Sequence, residues 1–212
     1  MPEELHATKL AILKATERLV AAKGFEATSL RAITAAAKVN LAAVNYHFAT
    51  KDALILAMLN RRLRPVNEAR LALLDQLEEK AAGKPVPIEK ILEALFRPIL
   101  EAVSQRAKGG RDLLRLLGLV LAEPSAYLRP LVEKEFSEKT RRFHAALRRA
   151  LPSLSDQEAH WRLHFVHGVF LHTVTNSEVL HFASRGRCRL TDTEATLRRV
   201  VSFCAAGLRS AA

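Results

Sequence analysis

The sequence predicts an all-α protein of about nine helices, and three observations carry that expectation. Apolar residues recur at i, i+3, i+4 and i+7 along most of the chain, the spacing that gathers them on one face of a helix. Glycines and prolines at Gly24, Gly83, Pro85, Pro87, Gly109, Gly110, Pro124 and Pro152 punctuate those stretches where helices stop. Ser155 with Glu158, and Thr191 with Glu194, match the capping box that opens a helix. A chain of 212 residues, 49% of them hydrophobic, has material for one large or two small cores.

The first helix is expected over about Leu5 to Lys23, where Ile12, Ala15, Thr16, Leu19 and Val20 share a face and Gly24 provides the stop. Phe25 then tucks under as core. Thr28 to Phe48 reads as two short helices joined by a tight turn. Ser29 caps the first, with Leu30, Ile33 and Ala37 on one face. Lys38-Val39-Asn40 breaks the pattern, Val39 plugging the space between the helices and Asn40 capping Leu41 to Phe48.

In this second helix Val44 and Phe48 face inward, which leaves Leu41, Ala42, Ala43, Asn45, Tyr46 and His47 outward or sideways. Asn can pair with an adenine edge, Tyr and His can reach phosphates, and Leu or Ala can touch a thymine methyl. That is the outline of a DNA-reading helix-turn-helix. A plain corner of a helical bundle has the same spacing.

Thr50 is placed to cap a helix beginning Lys51-Asp52, with Leu54, Ile55, Met58 and Leu59 inward. Pro65 is expected to kink or break it, a further helix continuing to about Lys80, and Arg61, Arg62 and Arg64 read as a solvated face. Residues 81–87 form the expected boundary, giving a head over 1–50, connecting helices over 51–80 and a second helical domain over 81–212. That domain should hold helices over 88–105, bent at Pro98, 111–123, 130–151, 155–183 and 191–209. Helix 111–123 is apolar on most sides, which predicts burial at the centre of the second domain. Helix 130–151 turns Leu131, Phe136, Phe143 and Leu147 inward and its arginines mostly outward.

The stretch GFEATSLRAITAAAKVNLAAVNYHFATKDAL resembles the DNA-binding signature of the tetracycline-repressor (TetR) family of bacterial transcription regulators, over roughly residues 8–60. The resemblance implies base contacts by Arg31 and Leu41 to Ala43 and phosphate contacts by His47 and Lys51. Both readings together make the DNA-binding set Ser29, Arg31, Lys38, Asn40, Leu41, Ala42, Ala43, Asn45, Tyr46, His47 and Lys51. Two positions depart from the family: Lys38 stands where Gly is usual, and Asn45 where Tyr is usual. A left-handed Lys38 costs roughly 1 kcal/mol, offset by any phosphate contact from its ammonium. NLAAVNYHF is similar to a branch that includes regulators of fatty-acid metabolism. The family also implies a dimer whose two C-terminal helices pack against their twins. Two recognition helices on a twofold axis then predict a palindromic double-stranded operator, and release by a small-molecule effector is expected, which makes the protein a repressor in expectation.

Charge and composition bound the rest. The net charge is +11, made of +3 over residues 1–51, 0 over 52–80 and +8 over 81–212. The +8 suits an anionic amphipathic effector such as an acyl thioester, and equally a solvated surface. Effector walls are expected at Phe96, Leu100, Leu117, Leu121, Phe143, Trp161 and Phe165. No apolar run approaches the roughly 20 residues of a membrane span, and Cys188 and Cys204 form no CxxC, so reduced thiols and a cytoplasmic location are expected. His160, His164 and His167 at i, i+4 and i+7 offer the rival reading, a metal-dependent helical enzyme or metal sensor. With no HExxH beside them they read as satisfied or interfacial histidines. No phosphate loop, GxSxG elbow or carboxylate pair supplies a catalytic constellation, so neither an enzyme, a metal nor a cofactor is expected. A DNA-binding protein without an effector is the third reading.

Overall fold

The computed structural model describes residues 2–105, 109–122, 128–190 and 192–210. All regular structure among them is helical: α1 (Pro2–Lys23), α2 (Leu30–Ala37), α3 (Leu41–Phe48), α4 (Lys51–Ala81), α5 (Ile88–Ser104), α6 (Gly110–Ala122), α7 (Leu128–Ala150), α8 (Asp156–Thr175), α9 (Ser177–Ala183) and α10 (Thr193–Arg209). No helix among the described residues is long and apolar enough to cross a membrane.

The chain divides into two compact units that are not contiguous in sequence. The first holds residues 1–65 and 111–135, the second 66–110 and 136–212. The connection at 82–87 therefore lies inside the second unit. The first unit is built on Ile12, Val20, Phe25, Ile33, Val44, Phe48, Leu54, Ile55, Met58 and Leu59, which are buried together with Leu116 of α6. That position corrects the expectation for α6. Leu113 and Leu116 are buried, but in the first unit, and Leu114, Leu117, Leu119 and Val120 are only half-buried. Apolar density told how much of α6 is covered without telling by what.

Pro65 does not break α4, which runs unbroken from Lys51 to Ala81. Proline removes one backbone hydrogen bond; here its ring is exposed while Leu63 and Val66 beside it are buried, and that burial outweighs the loss. Arg61 and Arg62 are not a solvated face. Both reach Glu17 of α1, at 3.3 and 2.8 Å, and clamp α4 to α1 inside the first unit. Burial raises the Glu17 carboxyl above its usual range, and the two guanidinium groups oppose that rise.

In the second unit α10 packs chiefly on α5 and also on α8. Phe96 and Phe170 stack at 4.3 Å with their rings 3° from parallel, and Leu92, Ile99, Leu163, Val174, Val200, Val201 and Leu208 of the same three helices are buried too. Cys204 is buried here as expected, its thiol pushed up to about 11 by burial, whereas Cys188 is exposed. Arg142 of α7 holds Asp75 and Glu78 of α4 at 2.5 and 2.8 Å. Leu131 and Phe136 lie outside the described side chains.

Two expected helix limits are corrected. Helix 155–183 is interrupted at Asn176, giving α8 and α9. Thr173 and Thr175 bond back to the carbonyls of Val169 and Leu171 at 2.7 and 2.8 Å, and the Asn176 amide donates to Thr175, so local side-chain bonds compete with the next turn. Thr191 lies outside the described residues, and the cap of α10 is Asp192, whose carboxylate accepts from the Ala195 amide at 2.9 Å. With Asp192 as the cap, Glu194 is the second residue of α10, one short of the place a box with that cap requires, and it pairs with Arg97 of α5. At α8 the expected cap holds, Ser155 Oγ accepting from the Glu158 amide at 3.1 Å.

Candidate nucleic-acid interface

Helices α2 and α3 owe their limits to four residues. Ser29 Oγ accepts from the Ala32 amide at 3.2 Å and starts α2. Lys38 ends it in the left-handed region, at φ 56° and ψ 44°, its amide turned back to Ala35 at 3.3 Å. Asn40 opens α3, Oδ1 accepting from the Ala43 amide at 2.8 Å. Ala49 closes it at φ 60° and ψ −49°, where the Thr50 amide donates to the Phe48 carbonyl at 2.6 Å. That is a γ-turn of positive φ, a strained form for a residue with a Cβ, and nothing in the sequence signals it. Thr50 Oγ1 then accepts from the Ala53 amide at 3.0 Å and starts α4.

The inner face of α3 is Val44 and Phe48, 2% and 6% exposed, and Val39 packs against the same core. Its outer face carries Leu41, Ala42, Asn45 and Tyr46, all exposed, with Tyr46 at 74%. Ala43 and His47 are half-buried at the flanks, and the His47 ring meets Tyr46 edge-on at 5.2 Å. Ser29, Arg31 and Lys38 are exposed on and around α2. The two caps have part of their hydrogen-bonding capacity committed, since Ser29 Oγ and Asn40 Oδ1 hold helix amides. Lys51 is half-buried and donates to the Glu26 carbonyl at 3.3 Å, which leaves two of its three protons for another acceptor.

Among the described residues of the second unit, the expected effector walls divide between its core and its surface. Phe96, Leu100 and Phe143 are buried in the second unit, while Trp161 and Phe165 are 52% and 57% exposed and stack on each other at 5.7 Å. Spacing i, i+4 on α8 puts them on its outer side together with His164, whose ring is 6.2 Å from Trp161. Leu117 belongs to the first unit, and Leu121 lies outside the described side chains. The three histidines of α8 do not converge: His164 is exposed, and His167 bonds the Leu163 carbonyl through Nδ1 at 2.7 Å. Burial is the main reason the His167 ring is pushed down to about 4.

A short capped helix, anchored by two apolar residues and presenting a polar and small-residue face after a tight turn from a second short helix, defines a helix-turn-helix DNA-binding protein. Residues 12–58 match bacterial regulatory proteins of the tetR family, and residues 93–207 match the tetracyclin repressor-like C-terminal domain. The chain belongs to the TetR family of transcription regulators, which are not enzymes. No curated protein matches it. Among solved structures it is similar to a transcriptional regulator of the TerR/AcrR family from Aquifex aeolicus VF5, at 21% identity and TM-score 0.59, over 92% of this chain and 98% of that one. A TetR family regulator from Marinobacter aquaeolei VT8 matches at 19% identity and TM-score 0.58, covering 97% of each chain. The fatty acid degradation regulator FadR from Bacillus halodurans matches at 16% identity and TM-score 0.58, over 96% of this chain and 97% of that one.

Proposed function

We propose that the protein is a homodimeric repressor that binds a palindromic operator and leaves it when a small effector binds. The observation that carries this reading is α3 itself: Leu41, Ala42, Asn45 and Tyr46 are exposed while Val44 and Phe48 hold the helix to the core. Arg31 and Leu41 to Ala43 contact bases; Lys38, His47 and Lys51 contact phosphates; Ser29 and Asn40 position the helices, with their remaining donors near the backbone. One short helix reads few base pairs. Two helices related by a twofold axis, about 34 Å apart, read successive major-groove turns and gain specificity together.

The pairing surface is the outer side of the last two long helices. Trp161, Phe165 and Phe203 are exposed on α8 and α10, with Phe203 at 68%, and a Cβ at Gly168 or Gly207 would meet nothing within 4 Å. Large exposed apolar side chains beside bare backbone suit a close helix–helix interface. In this reading residues 1–50 read DNA, 51–80 connect, and 81–212 bind the effector and pair. The effector is an anionic amphipath of the acyl-thioester kind, held among Phe96, Leu100 and Phe143. The +8 charge of residues 81–212 supports that class, and so does the likeness to a fatty acid degradation regulator. The site of action is the cytoplasm.

Selection of genomic fragments by the purified protein, followed by titration of wild type against the Arg31→Ala/Tyr46→Ala double variant, tests the reading. A palindromic site bound by wild type and lost in the variant is the expected result. Equal binding by the two proteins would remove the reading head from the account. Acyl-CoA thioesters of several chain lengths, added to the preformed complex, should release the DNA; if none does, the DNA-binding protein stands without this effector.

A further inference from the structure

We propose that His144, Asp156 and His160 form a transition-metal site, suited to Zn2+, where α7 turns into α8. None of the three is among the residues assigned to DNA reading or to the effector walls. His144 sits near the end of α7, Asp156 is the first residue of α8, and His160 is one turn further on. The i, i+4 spacing puts Asp156 and His160 on one side of α8, and the tight connection after Ala150 brings His144 against that side.

The distances suit a metal. His144 Nε2 is 3.6 Å from Asp156 Oδ1, and His160 Nε2 is 3.7 Å from Asp156 Oδ2. One ligand atom from each of the three lies within 4.8 Å of the others. A tetrahedral ion held by nitrogen and oxygen at about 2.1 Å sets its ligand atoms about 3.4 Å apart, a few tenths of an ångström below each separation; the two end on different oxygens, so an ion bound through one oxygen requires the Asp156 carboxylate to turn. The imidazoles stack at 4.0 Å and 16°, so their in-plane lone pairs run side by side, and one ring must tilt for both to meet the ion. His160 and Asp156 are free to adjust, with side chains 60% and 74% exposed.

A second observation points the same way. His144 is only 13% exposed, and its Nε2, turned toward this cluster, is buried without a hydrogen-bond partner. A buried ring nitrogen left unpaired costs free energy, and coordination satisfies it. Two imidazoles and one carboxylate leave a fourth position for water, a donor set that takes Zn2+ or Co2+ in preference to the hard ions Mg2+ and Ca2+. The bound ion ties α7 to α8 within the second unit and adds its binding free energy to the stability of that unit.

Competition between tag-free protein and a chromogenic Zn2+ chelator tests the site, with Co2+ absorption as the second readout. Wild type should take one Zn2+ per chain, gain roughly 5 °C in Tm with saturating metal, and give the intense visible bands of four-coordinate Co2+. His160→Ala and Asp156→Asn should each weaken Zn2+ binding at least tenfold and abolish those bands. His164→Ala should match wild type. All three substitutions are at exposed positions, and unchanged circular dichroism would show the fold intact. Wild type that leaves all Zn2+ with the chelator, His160→Ala that binds as wild type, or loss of binding in His164→Ala would each overturn the proposal.

Discussion

Arg162 Nη1 donates to the Leu208 carbonyl at 2.8 Å, and the same nitrogen reaches the Ser210 carbonyl at 2.8 Å. Arg162 is 5% exposed, rises from α8, and is held from its other side by Glu158 at 2.7 Å. A buried cation thereby closes the C-terminus of α10, where unpaired carbonyls and the negative end of the helix dipole gather. Arg162→Met keeps the stem and removes the fork. It should lower unfolding free energy by about 3 kcal/mol, because charge-assisted bonds are lost and Glu158 loses its partner. Arg162→Lys should recover little, since one ammonium does not reproduce the fork. Denaturant titration measures both; a loss under about 1 kcal/mol would show that water replaces the guanidinium without cost.

Backbone strain at the reading head gives the second expectation. Lys38 and Ala49 hold φ values of 56° and 60°, where glycine is at ease. Lys38→Gly and Ala49→Gly should each stabilise the protein by about 1 kcal/mol, read as a higher denaturation midpoint at an unchanged slope. Lys38→Gly should also lower the salt dependence of DNA binding by about one phosphate contact, and Ala49→Gly should leave it unchanged. Equal salt slopes for Lys38→Gly and wild type would show that the ammonium does not touch DNA.

Acid should weaken the second unit through His167. Burial pushes its ring from 6.5 down to about 4, so below pH 6.5 the unfolded chain takes up a proton that the folded chain refuses. The stability present above pH 6.5 is lost as pH falls toward 4, by up to about 3 kcal/mol. Lys139, buried and pushed down to about 7 chiefly by desolvation, works in the same direction at higher pH: stability rises between pH 7 and 10.5. Urea midpoints from pH 7.5 to 4 should fall more steeply in wild type than in His167→Gln. Parallel profiles would assign the acid sensitivity to other groups.

Pairing through α8 and α10 predicts that charge on that face separates the subunits. Trp161→Glu and Phe203→Glu, both at exposed positions, should sediment as folded monomers at micromolar concentration and bind an operator far more weakly than wild type. Dimers of unchanged affinity would move the interface elsewhere.

Local signals in the chain determined most of the helices and much of the reading head. Ser29, Asn40, Thr50 and Ser155 cap where their hydroxyl or amide side chains precede an apolar stripe, and α3 runs from Leu41 to Phe48 as its spacing requires. Those are interactions between residues within four positions of one another, so sequence order contains them. Competition between local and distant terms was less legible. Pro65 reads as a break until the buried Leu63 and Val66 are known, and Asn176 reads as helix until the threonine bonds that interrupt it are seen. Only tertiary structure decided what meets across helices: Leu116 in the first unit's core, Glu17 between Arg61 and Arg62, Arg162 under the end of α10, and His144 against His160. Burial and charge depend on neighbours brought together by the whole fold. A periodic pattern names the face that is covered and leaves its partner open, which is why Trp161 and Phe165 resemble pocket walls in the sequence and stand exposed on α8.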